Sequence, residues 1–431
     1  MKRYLTGIDW IVNTIDYTGK AQSGIGNHSE LILELKNPPN HQALEEALNN
    51  FNRNLPLLNG FPSRAINLCP YWKIPPGKKS LPIRINIIKF NDPIDYLLVL
   101  AKPVNTAFKE RREHLAFTLL ETNKLTFLSM AFDHRILDAK GAEAFLNLFQ
   151  QYYENHRPLQ IPLDCPPHLN SWKEKFLAGR QINRFFLNLA RHRPRTLPFN
   201  PQNEPCRFKV IHLSYEQSVR LANLAYARAG YLMFMPYALA VSIQIMHKIF
   251  QEKNIPGLNY LIPVPIDTRT KEKAQQETLF NHFSFLIFNI SADKVSNLNW
   301  LLAEIKNQMY EQVKNGIPAA ILNASFLIRI ASLPLTNFFL KLISKKHFAS
   351  FSFSYLNNAY QQNKLMQTEV QNIFHLPRTP KPPGIGIFIN QFESKFNITL
   401  SYFDDLLNDT QVNQIIKSLE ALGNEESANS L

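Results

Sequence analysis

The stretch FDHRILDAKGAEAFLNLF, residues 132–149, decides how this chain is read. It closes the alternating apolar run LTFLSMAFDH (125–134), whose period of two predicts a β-strand. From about Ala139 to Glu154 the spacing of apolar residues changes to that of a helix. His134 therefore sits at a strand end, and Asp138 follows four residues later as the helix begins. A histidine so placed can project its imidazole into a cleft, and the intervening residues turn the chain. Asp138 can then point back into the protein and hold the loop by a salt bridge. An imidazole, with an ordinary pKa of ~6.5, suits proton abstraction near neutral pH. The spacing alone is weak: with 12 His among 431 residues and as many Asp, about a third of one His-x-x-x-Asp match is expected by chance. Two simpler roles stay open, Asp138 as the N-cap of the following helix and His134 as a strand-end histidine with a satisfied hydrogen bond.

Working outward, HLAFTLL (114–120), the turn ETNK and LTFLSMAFDH form a predicted hairpin. SELILELK (29–36) and LPIRINIIKF (81–90) alternate as strands. Asn40 caps a helix whose Leu44, Leu48, Phe51 and Leu55 share one face. Two proline-rich pieces, HRPLQIPLDCPPH and RPRTLPFNPQNEP, break the pattern at 155–206 and enclose a basic helix-like segment, SWKEKFLAGRQINRFFLNLARH. The second half restarts with RFKVIHL (207–213), and Ser214 with Gln217 spells a capping box. An apolar helix is expected at about 233–250, buried strands at GLNYLIPVPID and HFSFLIFNIS, and helices near 295–314 and 319–343. Strands at 348–356, 384–392 and 397–403 and a helix at 410–422 complete the pattern. Both halves read as strand–helix–strands–helix units of two layers with largely antiparallel sheets. The expected division is 1–180, a linker at 181–205, and 206–431.

Composition narrows the function. Hydrophobic residues make up 45% and charged residues 19%, a globular balance. Three cysteines without metal-ligand spacing argue against a disulfide framework and suggest a reducing compartment. No signal peptide and no run of 18 apolar residues is read, so a cytoplasmic protein is expected, peripheral to a membrane at most. The net charge of +13 is concentrated in 171–195 and 312–368, each carrying +6. Such clustering suggests cofactor phosphates, an anionic membrane surface or two solvated faces; nucleic acid is the weakest reading, because no nucleic-acid motif accompanies the charge. There is no GxSxG, Walker loop, GxGxxG or HExxH, and no metal site is expected.

Strand–His134-x-x-x-Asp138–helix in mid-chain resembles the His-His-x-x-x-Asp-Gly signature of the condensation-domain-like, or chloramphenicol-acetyltransferase-like, acyltransferase superfamily, which includes wax ester synthases and alcohol acyltransferases. GIDW with the helix ending in NLPLLNGF is similar to the family's opening strand, first helix and following segment. PVPIDTR (263–269) followed by Asn281 resembles its second-domain Arg and Asn, FSFSYLNN (351–358) its Ser-Asn strand, and NITLSYFDDLL its closing strand. Two positions depart: Asp133 stands where the family has its first His, and Ala139 where it has Gly, with a glycine only at Gly141. The plant-type DFGWG motif is absent.

The resemblance implies two α/β sandwich domains in a V, with an active-site tunnel between them. It implies an acyltransferase that moves an acyl group from acyl-CoA or an acyl carrier protein to a hydroxyl or amine. His134 would be general base, Asp138 and Arg269 a structural pair at the site, and Asn281 and Ser354 oxyanion or substrate contacts. No permanently bound cofactor and no metal are implied, and a monomer is expected. The changed loop keeps a non-catalytic binding or scaffold protein open. The basic aromatic segment keeps open a membrane-surface enzyme acting on lipid alcohols.

Overall fold

The computed structural model describes residues 2–76, 80–90, 95–155, 172–189, 191, 193–198, 205–270, 277–343, 349–357, 360 and 362–423. The first half runs β1 (Lys2–Tyr4), α1 (Gly7–Ser23), β2 (His28–Leu35), α2 (His41–Arg53), β3 (Phe61–Arg64), β4 (Pro70–Lys73), β5 (Arg84–Phe90), α3 (Tyr96–Leu100), β6 (Leu115–Thr122), β7 (Thr126–Asp133), α4 (Ala139–Asn155) and α5 (Trp172–Leu189). The second begins with β8 (Cys206–His212), α6 (Tyr215–Ala229), α7 (Phe234–Glu252), β9 (Asn259–Asp267), β10 (Phe283–Ser291), α8 (Leu298–Lys314), α9 (Ile317–Ile328) and α10 (Leu333–Ile343). It ends with β11 (Ser352–Leu356), β12 (Lys364–Leu365), β13 (Thr368–Pro377), β14 (Ile385–Phe392), β15 (Lys395–Phe403) and α11 (Asp409–Glu420).

A six-stranded sheet, β12-β13-β2-β7-β6-β5, organises the first lobe, and a four-stranded sheet, β11-β14-β15-β8, the second. Both are antiparallel except where β5 meets β6 and β11 meets β14. Alternation along β2 and β7 sorts the core. Leu31, Leu33, Leu128 and Met130 pack toward α2 and α4, with Leu48, Phe51, Phe145 and Phe149. Ile32 and Phe127 face the opposite way, into a second core shared with α7, β14 and β15. One sheet face therefore packs mainly on the first lobe's own helices, and the other lies toward the second lobe.

The structure departs from the expected organisation in four places. β12 and β13 lie within 206–431 yet complete the first lobe's sheet, because β13 pairs antiparallel with β2 from Pro377 opposite Ser29 to Val370 opposite Leu35. β13 takes up the otherwise open edge of β2, whose row of unpaired backbone groups would be costly to leave bare. A boundary at 180/181 falls inside α5, which is one helix and docks Ala178 and Ile182 against Ile317, Ala320 and Ile321 of α9. GIDW opens α1 rather than a strand: Thr6 caps it and Asp9 answers the cap backbone, a reciprocal box that pulls these residues into the helix. The helix expected at 319–343 is two, α9 and α10. Pro334 cannot donate to a preceding turn, so the chain restarts there. The segment 156–171 and Asn358 lie outside the described residues.

Candidate active site

His134 is the first residue after β7, and its backbone is held on both sides. Its N–H donates to the Asn27 carbonyl at 2.9 Å. Its carbonyl accepts from Asn281 Nδ2 at 3.1 Å. The ring is half-buried beside Phe132, 6.0 Å between centroids. Nδ1 is buried with no hydrogen-bond partner among the described residues. The strand-end histidine with a satisfied ring is therefore not what the structure contains.

Asp138 combines the two roles left open by its sequence position. Its Oδ1 accepts from the Gly141 N–H at 2.7 Å, capping α4. Both of its oxygens also accept from one Arg269 nitrogen at 2.9 Å. The His282 N–H reaches Oδ2 at 2.9 Å. Arg269 is steadied in turn by the Glu277 carbonyl at 2.8 Å and by Asp267 at 3.0 Å. Burial pulls the Asp138 carboxyl upward, but the Arg269 guanidinium and the His282 N–H outweigh it, so its pKa lies below the ordinary value. Phe280 completes the junction: its N–H donates to the Ile136 carbonyl at 2.6 Å, with φ of 73°. The segment 277–282 thus docks backbone to backbone on the His134 loop. A Cβ on Gly141 would come within 2.4 Å of the Thr278 carbonyl, so a glycine at this position lets the helix start approach that segment.

Asn281 is brought to His134, where its side chain meets the backbone and Asp9. Its Nδ2 serves the His134 carbonyl, and it lies 3.4 Å from Asp9 Oδ1. Its backbone N–H also binds Asp9 Oδ1, at 3.1 Å. The atom left without a partner is its carbonyl oxygen, which can only accept. Asn281 thus ties the His134 loop to Asp9 of α1. Ser354 lies on β11, half-buried and opposite Phe388 of β14. It shares no hydrogen bond with His134, Asp138, Arg269 or Asn281 among the described residues.

Asp133 is fully buried at the start of the same loop. It accepts from His114 Nδ1 at 2.9 Å and from the Arg135 backbone N–H at 2.9 Å, and it grips the Arg135 guanidinium through Nε and a second nitrogen. Arg135 also reaches Asp16 of α1 at 3.5 Å. Burial opposes ionisation of Asp133, yet Arg135 and His114 prevail and hold its carboxyl well below the usual range. Asp133 thus sits in a local ion cluster with Arg135 and His114. Sequence reasoning missed Asp9, His114, Arg135 and Phe280. Thr6-x-x-Asp9 carried a legible signal as a capping box; the others carried none, because their partners are distant or their role is made by the backbone.

No family model and no curated protein matches the chain. Solved structures do. The first condensation domain of the calcium-dependent antibiotic synthetase superposes with a TM-score of 0.71 at 11% identity, over 99% of this chain and 97% of that one. The chain has the condensation-domain fold. The trichothecene 15-O-acetyltransferase TRI3 from Fusarium sporotrichioides shares it at a TM-score of 0.69 and 14% identity, over 98% and 95% of the two chains. So does the condensation domain of the monacolin K polyketide synthase MokA, at 0.64 and 10%, over 100% and 98%. The condensation-domain fold thus spans the whole chain, with the β13 crossover and the clamped His134 loop as parts of it here.

Proposed function

We propose that the protein transfers an acyl group from a thioester, acyl-CoA or an acyl carrier protein, to a hydroxyl or amine, with His134 as general base. The observation that carries this reading is the contrast within His134 itself. Its backbone is tied from both lobes, while its buried Nδ1 has no partner among the described residues. A histidine fixed in place with its ring free is suited to a proton from outside the protein. The acceptor loses that proton to the imidazole and attacks the thioester carbonyl. The tetrahedral intermediate then collapses, the C–S bond breaks, and the imidazolium returns the proton to the departing thiolate. Orientation between the lobes supplies much of the acceleration, and no covalent acyl-enzyme is required. Asp138 and Arg269 hold the loop and touch no reacting atom. The ion-paired Asp133 cluster speaks against a merely inactivated relative.

The test is free-thiol release from a panel of acyl-CoAs with mixed alcohols and amines. His134→Ala should lower turnover by about 10²–10⁴, the usual contribution of a positioned base, without shifting the melting temperature. Equal turnover of variant and wild type sinks the assignment.

One further observation favours work at a membrane surface. α5 exposes Trp172, Phe176, Leu177 and Leu187 beside Lys173, Arg180 and Arg184, the composition of a helix that lies in a lipid interface. Sedimentation with anionic vesicles should fall as salt rises, because attraction to surface charge is screened over ~10 Å at 0.1 M. Equal sedimentation with neutral and anionic vesicles would remove this reading.

A further inference from the structure

The sheet face that looks toward the second lobe changes character along its length. Far from His134 it is apolar, with Ile32, Leu120, Phe127 and Phe374 in a packed core. Nearer His134 the side chains become small or polar. The pairing of Glu30 with Ala131, and of Ser129 with Thr118, puts these side chains on one face, along with Ala116 opposite Ala131. All are buried. Ser129 Oγ donates to Glu30 Oε1. The other Glu30 oxygen and the Thr118 hydroxyl have no partner among the described residues. Neither does Nδ1 of His28, which stands on the same face opposite Asp133.

Orphaned polar atoms are costly when sealed in a core, about 1–3 kcal/mol each, and native interiors rarely keep them. Here they share one face of one sheet, on the side of the lobe junction, and the strand they flank runs directly into His134. Burial pushes the Glu30 carboxyl up to about 8, so at neutral pH it is protonated and offers a donor.

We propose that the β2–β7–β6 face beside His134 lines a substrate pocket. In it Glu30, Ser129 and Thr118 recognise a neutral hydrogen-bonding group of the substrate, a hydroxyl. Ala131, opposite Glu30, is three residues of strand from His134, and Ser129, opposite Thr118, is five, which sets the recognised group roughly 10–17 Å from the reacting centre. A hydroxyl donates and accepts at once, matching a neutral carboxyl and a threonine hydroxyl together. The assignment rests on His134 marking the reacting centre. A water sealed in a closed void is the competing occupant.

The first arm of the test is independent of catalysis. Thr118→Cys, with Ser129→Cys as a second variant should the first fail to fold, is exposed to methyl methanethiosulfonate and mapped by mass spectrometry. Cys206, buried in the second core, is the internal control. Labelling at position 118 or 129 at least ten-fold faster than at Cys206 supports a pocket open to small molecules. Labelling no faster than at Cys206 overturns it. The second arm compares saturable binding of 1,6-hexanediol and hexane, which has no hydroxyl. Thr118→Val should weaken the diol about ten-fold and leave hexane unchanged, a loss of the size expected when one buried hydrogen bond is removed. An equal change for both probes, or no saturable binding of the diol to wild type, overturns the recognition. His134→Ala should bind the diol as wild type does. Equal turnover of His134→Ala and wild type with this binding intact therefore refutes the catalytic proposal alone, and an inert thiol refutes the pocket alone.

Discussion

The loop from Asp133 to Asp138 has a buried carboxylate at each end, and the two are neutralised from opposite directions. Asp133 is served by its own lobe: Arg135 lies two residues away and His114 nineteen. Asp138 is served by the other lobe, through Arg269 at a separation of 131 residues and the His282 N–H at 144. Both have a pKa below the ordinary value, so titration does not tell them apart. Their partners do. The first cluster ties α1, β6 and β7 into one unit and sets where the strand ends. The second fixes the loop against 277–282 and so sets where His134 stands relative to the second lobe. A buried ion pair is weak evidence of net stability, but its connectivity states what is being aligned.

The largest effect is expected at Asp133. Asp133→Ala strands Arg135 and His114 in the interior, and breaking a buried pair from one side costs about 3–5 kcal/mol. Denaturant unfolding should show this, and a loss no greater than that of an ordinary surface change would break the contrast by making the local cluster dispensable. Asp138→Ala should cost less, because Arg269 keeps Asp267 and the Glu277 carbonyl. Its signature is coupling: the double variant with Arg269→Ala should cost clearly less than the sum of the single variants, by about 0.5–3 kcal/mol. Strict additivity would mean that Asp138 serves only as the cap of α4, a role worth ~1 kcal/mol.

The smallest effect is in acid. A carboxyl whose folded pKa is depressed contributes stability that is fully present above its unfolded pKa, 3.8 for Asp138, and is lost as pH falls through the folded value. The stability gap between wild type and Asp138→Ala should therefore be constant from neutral pH down to about 5 and then close as the pH falls further. A gap that persists unchanged into strong acid would show that the variant loses packing rather than charge.

Most elements were legible in the chain because they are written in short-range pattern. The alternation in 125–134, the switch to helical spacing after Asp138 and the Ser214–Gln217 box each appear where the pattern puts them. So does the meeting of Asp138 with Arg269, although that expectation came from the family resemblance and not from spacing. The misreadings share a cause. TEVQNIFHLP carries no mark of which sheet it joins, since a strand's own alternation does not name its neighbour, and β13 crosses to the first lobe only because an edge of β2 is open there. The contacts of Asn281 with Asp9 and the His134 carbonyl likewise carry no mark in the sequence, since their partners lie more than a hundred residues away.

Read alone, the sequence determined the mixed α/β class, the position of the strand–His134–Asp138–helix unit and the concentration of positive charge, all properties of residues close along the chain. Tertiary structure decided the rest: which half completes the central sheet, that Asp133 is neutralised locally and Asp138 from across the junction, and that His134 Nδ1, Glu30 Oε2 and the Thr118 hydroxyl are left without partners among the described residues. The physical reason is range. Periodicity and capping act within a few residues, whereas hydrogen-bond partners and burial are set by segments more than a hundred residues apart that meet only once the lobes have packed.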